Sequence, residues 1–256
     1  MNILVTGGTG TLGRQVVKLL RQSGHRARIL SRHSRGHVDA VQGDIRTGEG
    51  VARALAGMEV VVHAASATRE PWRGRSTDVG GTRRLLELAR SADISHIVFV
   101  SIVGIDGVGF PYYRTKVRAE RVIKEGGVPW SILRATQFHD FMEILLRGFS
   151  RVPGITAIPL RWQFQPVDSS EVARRVVDVA RGEPAGMLAD FGGPEVRTFE
   201  SIAQSWLAAR NEKRRLVNMP VPFQFGRQVA EGKLTCPDHK VGLITFDQYL
   251  AERYSL

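Results

Sequence analysis

The chain has 256 residues, 43% of them hydrophobic, with 36 Lys and Arg against 25 Asp and Glu and a net charge of +11. That length can bury a full core in one domain with a small C-terminal lobe. No apolar run approaches the roughly 20 residues of a membrane span, and one cysteine, Cys236, excludes an internal disulfide framework.

Strand-like runs and amphipathic helices alternate from the first residues onward. Residues 3–6 read as a strand, 12–23 as a helix, 26–31 and 40–42 as strands, 51–56 as a helix and 59–64 as a buried strand. A helix over 76–92, a buried strand over 97–101, a helix over 113–125 and a strand over 129–133 continue the series. Such alternation predicts an α/β fold, a doubly wound parallel sheet of Rossmann-like type. Beyond about residue 136 the regularity falls off. Helices are expected over 138–149, 169–181 and 199–210, and extended segments over 155–159, 187–191 and 215–219. We read the whole chain, 1–256, as a single domain to which residues from about 137 contribute a small C-terminal substrate lobe. The chain opens directly on a strand and a glycine turn, so no signal peptide is expected. The lone cysteine fits a reducing compartment, and a cytoplasmic location is expected.

The first turn is the most informative. Ile3-Leu4-Val5 leads into Gly7-x-x-Gly10-x-x-Gly13 and then a helix beginning near Thr11. Glycines let the backbone turn tightly and approach a pyrophosphate with no Cβ in the way. The helix start points unpaired N–H groups and a positive dipole end at it. Gly7, Thr9, Gly10, Thr11, Leu12 and Gly13 are therefore candidate dinucleotide-binding residues. Ligands of such sheets sit beyond the carboxyl ends of the strands, which adds Ala64, Ala65, Ser66, Ala135 and Thr136.

After the second strand, NAD-binding sheets place an acidic residue against the ribose 2′-hydroxyl. This chain has Ser31-Arg32-His33-Ser34-Arg35 there. Guanidinium groups at Arg32 and Arg35 suit a 2′-phosphate, which favours NADP over NAD; solvated loop arginines are the plainer alternative. Asp44, after the third strand, can accept from an adenine amino group while Ile45 packs the ring, or it can simply cap a turn.

Tyr112 and Lys116 lie four apart, on one face of a helix that follows the fifth strand. An ammonium beside a phenol favours phenolate, which suits general acid–base work, and the lysine can also bond a ribose. Ser101, ending its strand, can hold a substrate carbonyl oxygen. Gln137, Phe138 and His139 follow the sixth strand and are candidate substrate-lining residues, with helix capping as the alternative for His139 and Asp140. Cys236 reads as a small buried apolar residue. The seven histidines show no ligand spacing, so no metal is expected. The positive balance invites nucleic acid, but the arginines are scattered and no recognition-helix or RNA-binding signature accompanies them. No nucleic-acid or membrane partner is expected.

These segments together resemble the short-chain dehydrogenase/reductase superfamily, in its atypical, NmrA-like branch, over roughly residues 1–200. The resemblance rests on Thr6-Gly7-Gly8-Thr9-Gly10-Thr11-Leu12-Gly13, Asp78-Val79-Gly80-Gly81-Thr82, Val98-Phe99-Val100-Ser101, Tyr112-Tyr113-Arg114-Thr115-Lys116 and Ile132-Leu133-Arg134-Ala135-Thr136-Gln137-Phe138. It implies a hydride site of Tyr112, Lys116 and Ser101, with the nicotinamide near Ala135-Thr136. The chain departs from the family at His63-Ala64-Ala65-Ser66, where Asn-Ala-Gly is usual, and at Ala135, where proline often stands. The expectation is an NADP-dependent oxidoreductase acting on a small carbonyl, quinone or activated alkene. The alternatives are a redox-sensing cofactor-binding regulator without turnover and a sugar-nucleotide epimerase or dehydratase. The sequence leaves the oligomeric state open.

Overall fold

Val-, Ile- and Leu-rich strands buried on both faces need helices above and below them, and the chain supplies both. The computed structural model describes residues 1–33, 36–66 and 75–254. Strands β1 (Asn2–Thr6), β2 (Arg26–Ser31), β3 (Ala40–Gln42), β4 (Val60–His63), β5 (His96–Ile102), β6 (Trp130–Ala135) and, later in the chain, β9 (Gly186–Met187) form one sheet. Its order is β3-β2-β1-β4-β5-β6-β9. Ile3, Leu4, Val5, Val61 and Val62 are each 0% exposed, as strands at the centre of such a sheet must be. The order reverses between β1 and β4, both parallel, with Thr6 in register with His63 at their carboxyl ends. That reversal opens the crevice in which doubly wound sheets hold ligands.

The helices between these strands are α1 (Thr11–Gln22), α2 (Val51–Leu55), α3 (Thr82–Ser91) and α4 (Pro111–Glu125). In α1 the buried residues Leu12, Val16, Val17 and Leu20 recur at helical spacing and make the face that covers the sheet. The helix expected over 76–92 divides. Arg75–Gly81 is a π-helical stretch, and α3 begins at Thr82. Gly80 and Gly81 favour a helix least, and a Cβ at Gly81 would lie 3.1 Å from the Ile45 side chain, so close approach selects glycine there.

The chain divides into two compact units, Met1–Ser101 with Pro111–Arg134 and Val172–Ala189, and Ile102–Phe110 with Ala135–Glu171 and Asp190–Leu256. The second contains α5 (His139–Phe149), β7 (Ile155–Ile158), β8 (Gln163–Phe164), β10 (Arg197–Thr198), α7 (Phe199–Ala209), β11 (Arg215–Asn218), α8 (Gln224–Ala230) and α9 (Phe246–Tyr254). The remaining helix, α6 (Ser169–Arg181), begins in the second unit and continues into the first. Two small sheets, β10 with β8 and β11 with β7, join segments distant in sequence. The strand expected over 187–191 is shorter. Gly186 and Met187 pair with β6, and Phe191 makes a separate bridge to Ala135. No helix among the described residues is long and apolar enough to cross a membrane.

One carboxylate gathers the helices of the second unit. Glu143 on α5 is 2% exposed and accepts from Trp206 Nε1 at 3.1 Å and Tyr249 Oη at 2.9 Å, and also from Tyr254 Oη. The Arg253 guanidinium lies 2.6 Å from it. Burial pulls its acidity one way, but the tyrosine and tryptophan donors and Arg253 hold its pKa below the ordinary glutamate value. This stabilisation is present above the unfolded carboxylate pKa and is lost as pH falls through the depressed one. Removing the acceptor leaves buried donors unpaired, so Glu143→Ala is expected to lower stability by about 3 kcal/mol. Urea denaturation measures this, and a loss below 1 kcal/mol would refute the stapling role.

Candidate functional site

The glycine turn packs backbone on backbone. Gly7 has φ +71°, and a Cβ there would lie 2.7 Å from the Ala65 nitrogen and 2.8 Å from the Ala64 carbonyl carbon. A Cβ on Gly13 would lie 2.1 Å from the Gly7 carbonyl oxygen, so the first turn of α1 closes directly onto the end of β1. Gly10 differs: its nearest neighbour would be the Gly7 oxygen at 3.2 Å, and the rest of its surroundings are open. Gly10 caps α1 with backbone alone, and the first turn carries no acidic residue. Its leading N–H groups and positive dipole end are thus left for an anion. Thr9 and Gly10 are exposed, Thr11 is half-buried and Leu12 is buried in the helix packing. This cradle fits a dinucleotide pyrophosphate, with Ala64, Ala65 and Ser66 along its other wall.

The remaining nucleotide candidates fall in different settings. Arg32 is exposed, one residue past the end of β2. Arg35 lies outside the described residues. Asp44 makes a turn, its Oδ1 accepting the Arg46 backbone N–H at 2.8 Å. Ile45 is 6% exposed and belongs to the hydrophobic core.

Tyr112 and Lys116 share the inner face of α4, which opens on Pro111, a residue suited to a first helical position. Lys116 is 3% exposed. Its ammonium donates to the Val100 carbonyl at 3.1 Å, stands 4.3 Å over the Phe99 ring and lies 4.0 Å from Asp78 Oδ1. The Tyr112 hydroxyl is 2.9 Å from Ser66 Oγ, and Ser66 donates to Asp78 Oδ1 at 2.7 Å. Ser101 is 3% exposed, and its Oγ has no hydrogen-bond partner among the described residues. The structure thus brings Tyr112, Lys116 and Ser66 together around Asp78.

Sequence reasoning gave Asp78 no role. Its signal was a charged residue on the buried stripe that continues through Thr82, Leu85 and Ala89 at helical spacing. His63 was noted only as a departure from the family. It is 0% exposed, with Nδ1 2.7 Å from Thr6 Oγ1 and Nε2 2.9 Å from Thr82 Oγ1. Burial first, and the nearby Lys116 charge second, push its pKa down to about 3, so the ring is neutral.

The other expected residues belong to the second unit. The Ala135 carbonyl accepts from Val103 N–H at 3.1 Å, and Thr136 N–H donates to the Phe191 carbonyl at 3.0 Å. Gln137 is 7% exposed and its Nε2 donates to the Leu234 carbonyl, while Oε1 has no partner among the described residues. Phe138 is half-buried at the start of α5. His139 is 0% exposed, its Nε2 is 3.1 Å from the Ile244 carbonyl, and its ring packs on Phe246 and Tyr249. Burial pushes the Cys236 thiol up to about 12, which makes it a poor nucleophile. No metal-holding group of side chains occurs among the described residues.

Comparison with known proteins places the chain in a family and a fold. The family described as NAD(P)H-binding matches residues 7–147. Sterol demethylase protein B of Methylococcus capsulatus is 30% identical over 194 residues, covering 71% of this chain and 58% of that protein. Photosystem II assembly factor Ycf39 of Cyanophora paradoxa is 30% identical over 147 residues, 54% of this chain and 46% of its own length. The chain spans about half the length of the curated relatives it matches. Among solved structures, a short-chain dehydrogenase/reductase superfamily protein from Agrobacterium tumefaciens with bound NAD superposes with a TM-score of 0.74 at 20% identity. That superposition covers 100% of this chain and 96% of the other. At that identity the likeness is one of fold.

Burial holds the pKa values of His63, His96 and His139 below the ordinary histidine value. His63, pushed down to about 3, stays neutral when folded and takes up a proton on unfolding below about pH 6.5, and the other two shift in the same direction. The unfolded state then binds more protons, so stability falls as pH drops. We expect stability to be flat above pH 7 and then to fall by about 1.4 kcal/mol per pH unit from His63, with His96 and His139 adding in the same direction. Urea midpoints at pH 7.5, 6.0 and 5.0 measure it, and a flat profile across that range would contradict the neutral, buried assignment.

Proposed function

The chain belongs to the NAD(P)H-binding family, and from that premise we propose that it is an NADP-dependent oxidoreductase of the atypical short-chain dehydrogenase/reductase type. Its substrate is a small molecule with a carbonyl, quinone or activated alkene. The observation that carries the reading is the Tyr112 hydroxyl, 2.9 Å from Ser66 Oγ and one helical turn from the buried Lys116. A phenol held by a neighbouring hydroxyl, with an ammonium on the same helix face, is equipped to pass a proton to an oxygen that gains charge.

In this reading Gly7, Thr9, Gly10, Thr11, Leu12 and Gly13, with Ala64, Ala65 and Ser66, hold the pyrophosphate and adjoining ribose. Arg32 faces a 2′-phosphate, Asp44 and Ile45 the adenine end, and Ala135 and Thr136 the nicotinamide. When bound, the nicotinamide supplies the hydride. Tyr112 gives its proton to the substrate oxygen. Ser101, whose buried hydroxyl has no protein partner among the described residues, orients that oxygen. Lys116 binds the ribose, and Gln137, Phe138 and His139 are the substrate candidates that the second unit carries.

A second reading is supported by the relative named as an assembly factor: a cofactor-binding protein that acts on a partner without turnover. The two part on whether NADPH is consumed across a panel of carbonyls and quinones. They part also on whether NADP⁺ and NADPH bind with different affinities.

Tyr112→Phe is expected to cut turnover by about 10²- to 10⁴-fold while leaving NADPH affinity within about twofold. Unchanged turnover in that variant removes Tyr112 from the mechanism. Arg32→Ala is expected to weaken NADPH binding about tenfold and leave NADH binding unchanged, because it removes one charge-assisted contact to the 2′-phosphate. Equal losses for both cofactors would show that Arg32 does not read that phosphate.

A further inference from the structure

Polar groups running from the buried Thr6 and His63 to the half-buried Ser66 and Tyr112 form a linked set whose hydrogen-bond directions follow from one another. The Thr82 hydroxyl donates to the Asp78 carbonyl at 2.5 Å. With its single proton committed there, Thr82 Oγ1 can only accept from His63, so His63 carries its proton on Nε2. A neutral ring then has a bare Nδ1, and Thr6 Oγ1 must donate to it across 2.7 Å. Thr6 Oγ1 in turn accepts from the Ala65 backbone N–H at 3.4 Å. On the other side of Asp78, Ser66 spends its proton on the carboxylate, so the Tyr112 hydroxyl must donate to Ser66 Oγ. Within these bonds, Thr6, His63, Thr82 and Ser66 each have a fixed direction, and none can reverse without breaking a bond to a neighbour.

We propose that His63, as the neutral Nε2–H tautomer, is a positioning residue that couples the glycine turn to Tyr112. It does so through Thr82, the Asp78 segment and Ser66. Thr6 stands immediately before Gly7, so the chain of bonds begins at the nucleotide cradle and ends at the phenol. His63 fixes the strand end at Thr6 and, through Thr82, the stretch that carries the Asp78 carboxylate. That carboxylate decides where the Ser66 proton points, and Ser66 decides where the Tyr112 proton points. The interior placement supports this: His63 and Thr82 are both 0% exposed, and Asp78 and Thr6 are each 1% exposed. At that depth a lost partner leaves a buried polar group unsatisfied, so the protein's own bonds set the orientation. The proposal rests on Tyr112 as the proton donor and adds what holds its hydroxyl in place before the substrate oxygen takes over from Ser66.

The test reads orientation instead of rate. Nitrogen-15 NMR of the imidazole in the unsubstituted protein is expected to show the Nε2–H tautomer at pH 7. An Nδ1–H tautomer would overturn the assignment. Thr82→Val removes both of the bonds made by Thr82 Oγ1, whereas Thr82→Ser keeps the hydroxyl. The carbon-13 resonance of Tyr112 Cζ is expected to shift in Thr82→Val and to return in Thr82→Ser, with NADPH affinity within about twofold of the unsubstituted protein in both. A resonance unchanged in Thr82→Val overturns the coupling, as does a shift that Thr82→Ser fails to reverse. If Thr82→Val does not fold, Thr82→Ala removes the same two bonds and is read in the same way. None of these readouts is turnover, so their failure is separable from a failure of Tyr112 as proton donor, which the Tyr112→Phe rates decide.

Discussion

The bond between Thr6 and His63 across the ends of β1 and β4 is the interaction on which the site depends. These two strands are neighbours because the sheet order reverses between them, and their parallel register sets the two residues side by side. Beyond that pair the chain leaves each strand into a turn, one containing Gly7 and the other Ala64 to Ser66. The close approach of Gly7 to Ala64 and Ala65 is possible only while the two strand ends stay in register. A buried polar pair is costly unless every donor and acceptor is matched. The Thr6–His63–Thr82 set meets that requirement, and a slip of β4 by one residue would break it.

A second constraint acts on α4. Arg134 on β6 forms a two-pronged bond with Glu120, Nε to Oε1 at 2.9 Å and Nη2 to Oε2 at 2.6 Å. Glu120 lies one turn beyond Lys116, so this fork fixes the rotation of the helix about its axis. That rotation directs Lys116 at the Val100 carbonyl and Tyr112 at Ser66. The lysine is buried with an aromatic face, a carbonyl and a carboxylate around it, which is how a buried ammonium is tolerated. The Tyr-x-x-x-Lys spacing therefore acquires meaning from a salt bridge farther along the same helix.

Much of the architecture was legible in sequence because the relevant signals are local. Three glycines between an apolar run and an amphipathic helix specify a strand, turn and helix by sterics alone, and α1 begins at Thr11 as expected. The unbroken apolar runs at 60–62 and 97–100 announced strands buried on both faces. The small paired strands β8 and β10 were not legible, since two-residue segments carry no periodicity and their pairing is long-range. Nor was α9, whose nine residues bury only Phe246 and Leu250 and are held in part by Glu143, more than a hundred positions earlier. The division before α3 falls at the Gly80-Gly81 pair, where a Cβ on Gly81 would crowd the Ile45 side chain.

By itself, the sequence determined the cofactor-binding fold and the glycine turn that opens it. Backbone freedom at glycine, helical spacing and residue type are properties of neighbours in the chain. The tertiary structure decided which hydroxyl meets Tyr112. Ser66, read from sequence only as a candidate cofactor-binding residue, makes that contact and is oriented by Asp78. It also decided that His63 serves as a neutral interior link. Hydrogen-bond partners and the charge state of a buried ring depend on what the fold brings within 3 Å, and residues 57 positions apart meet only when the sheet forms.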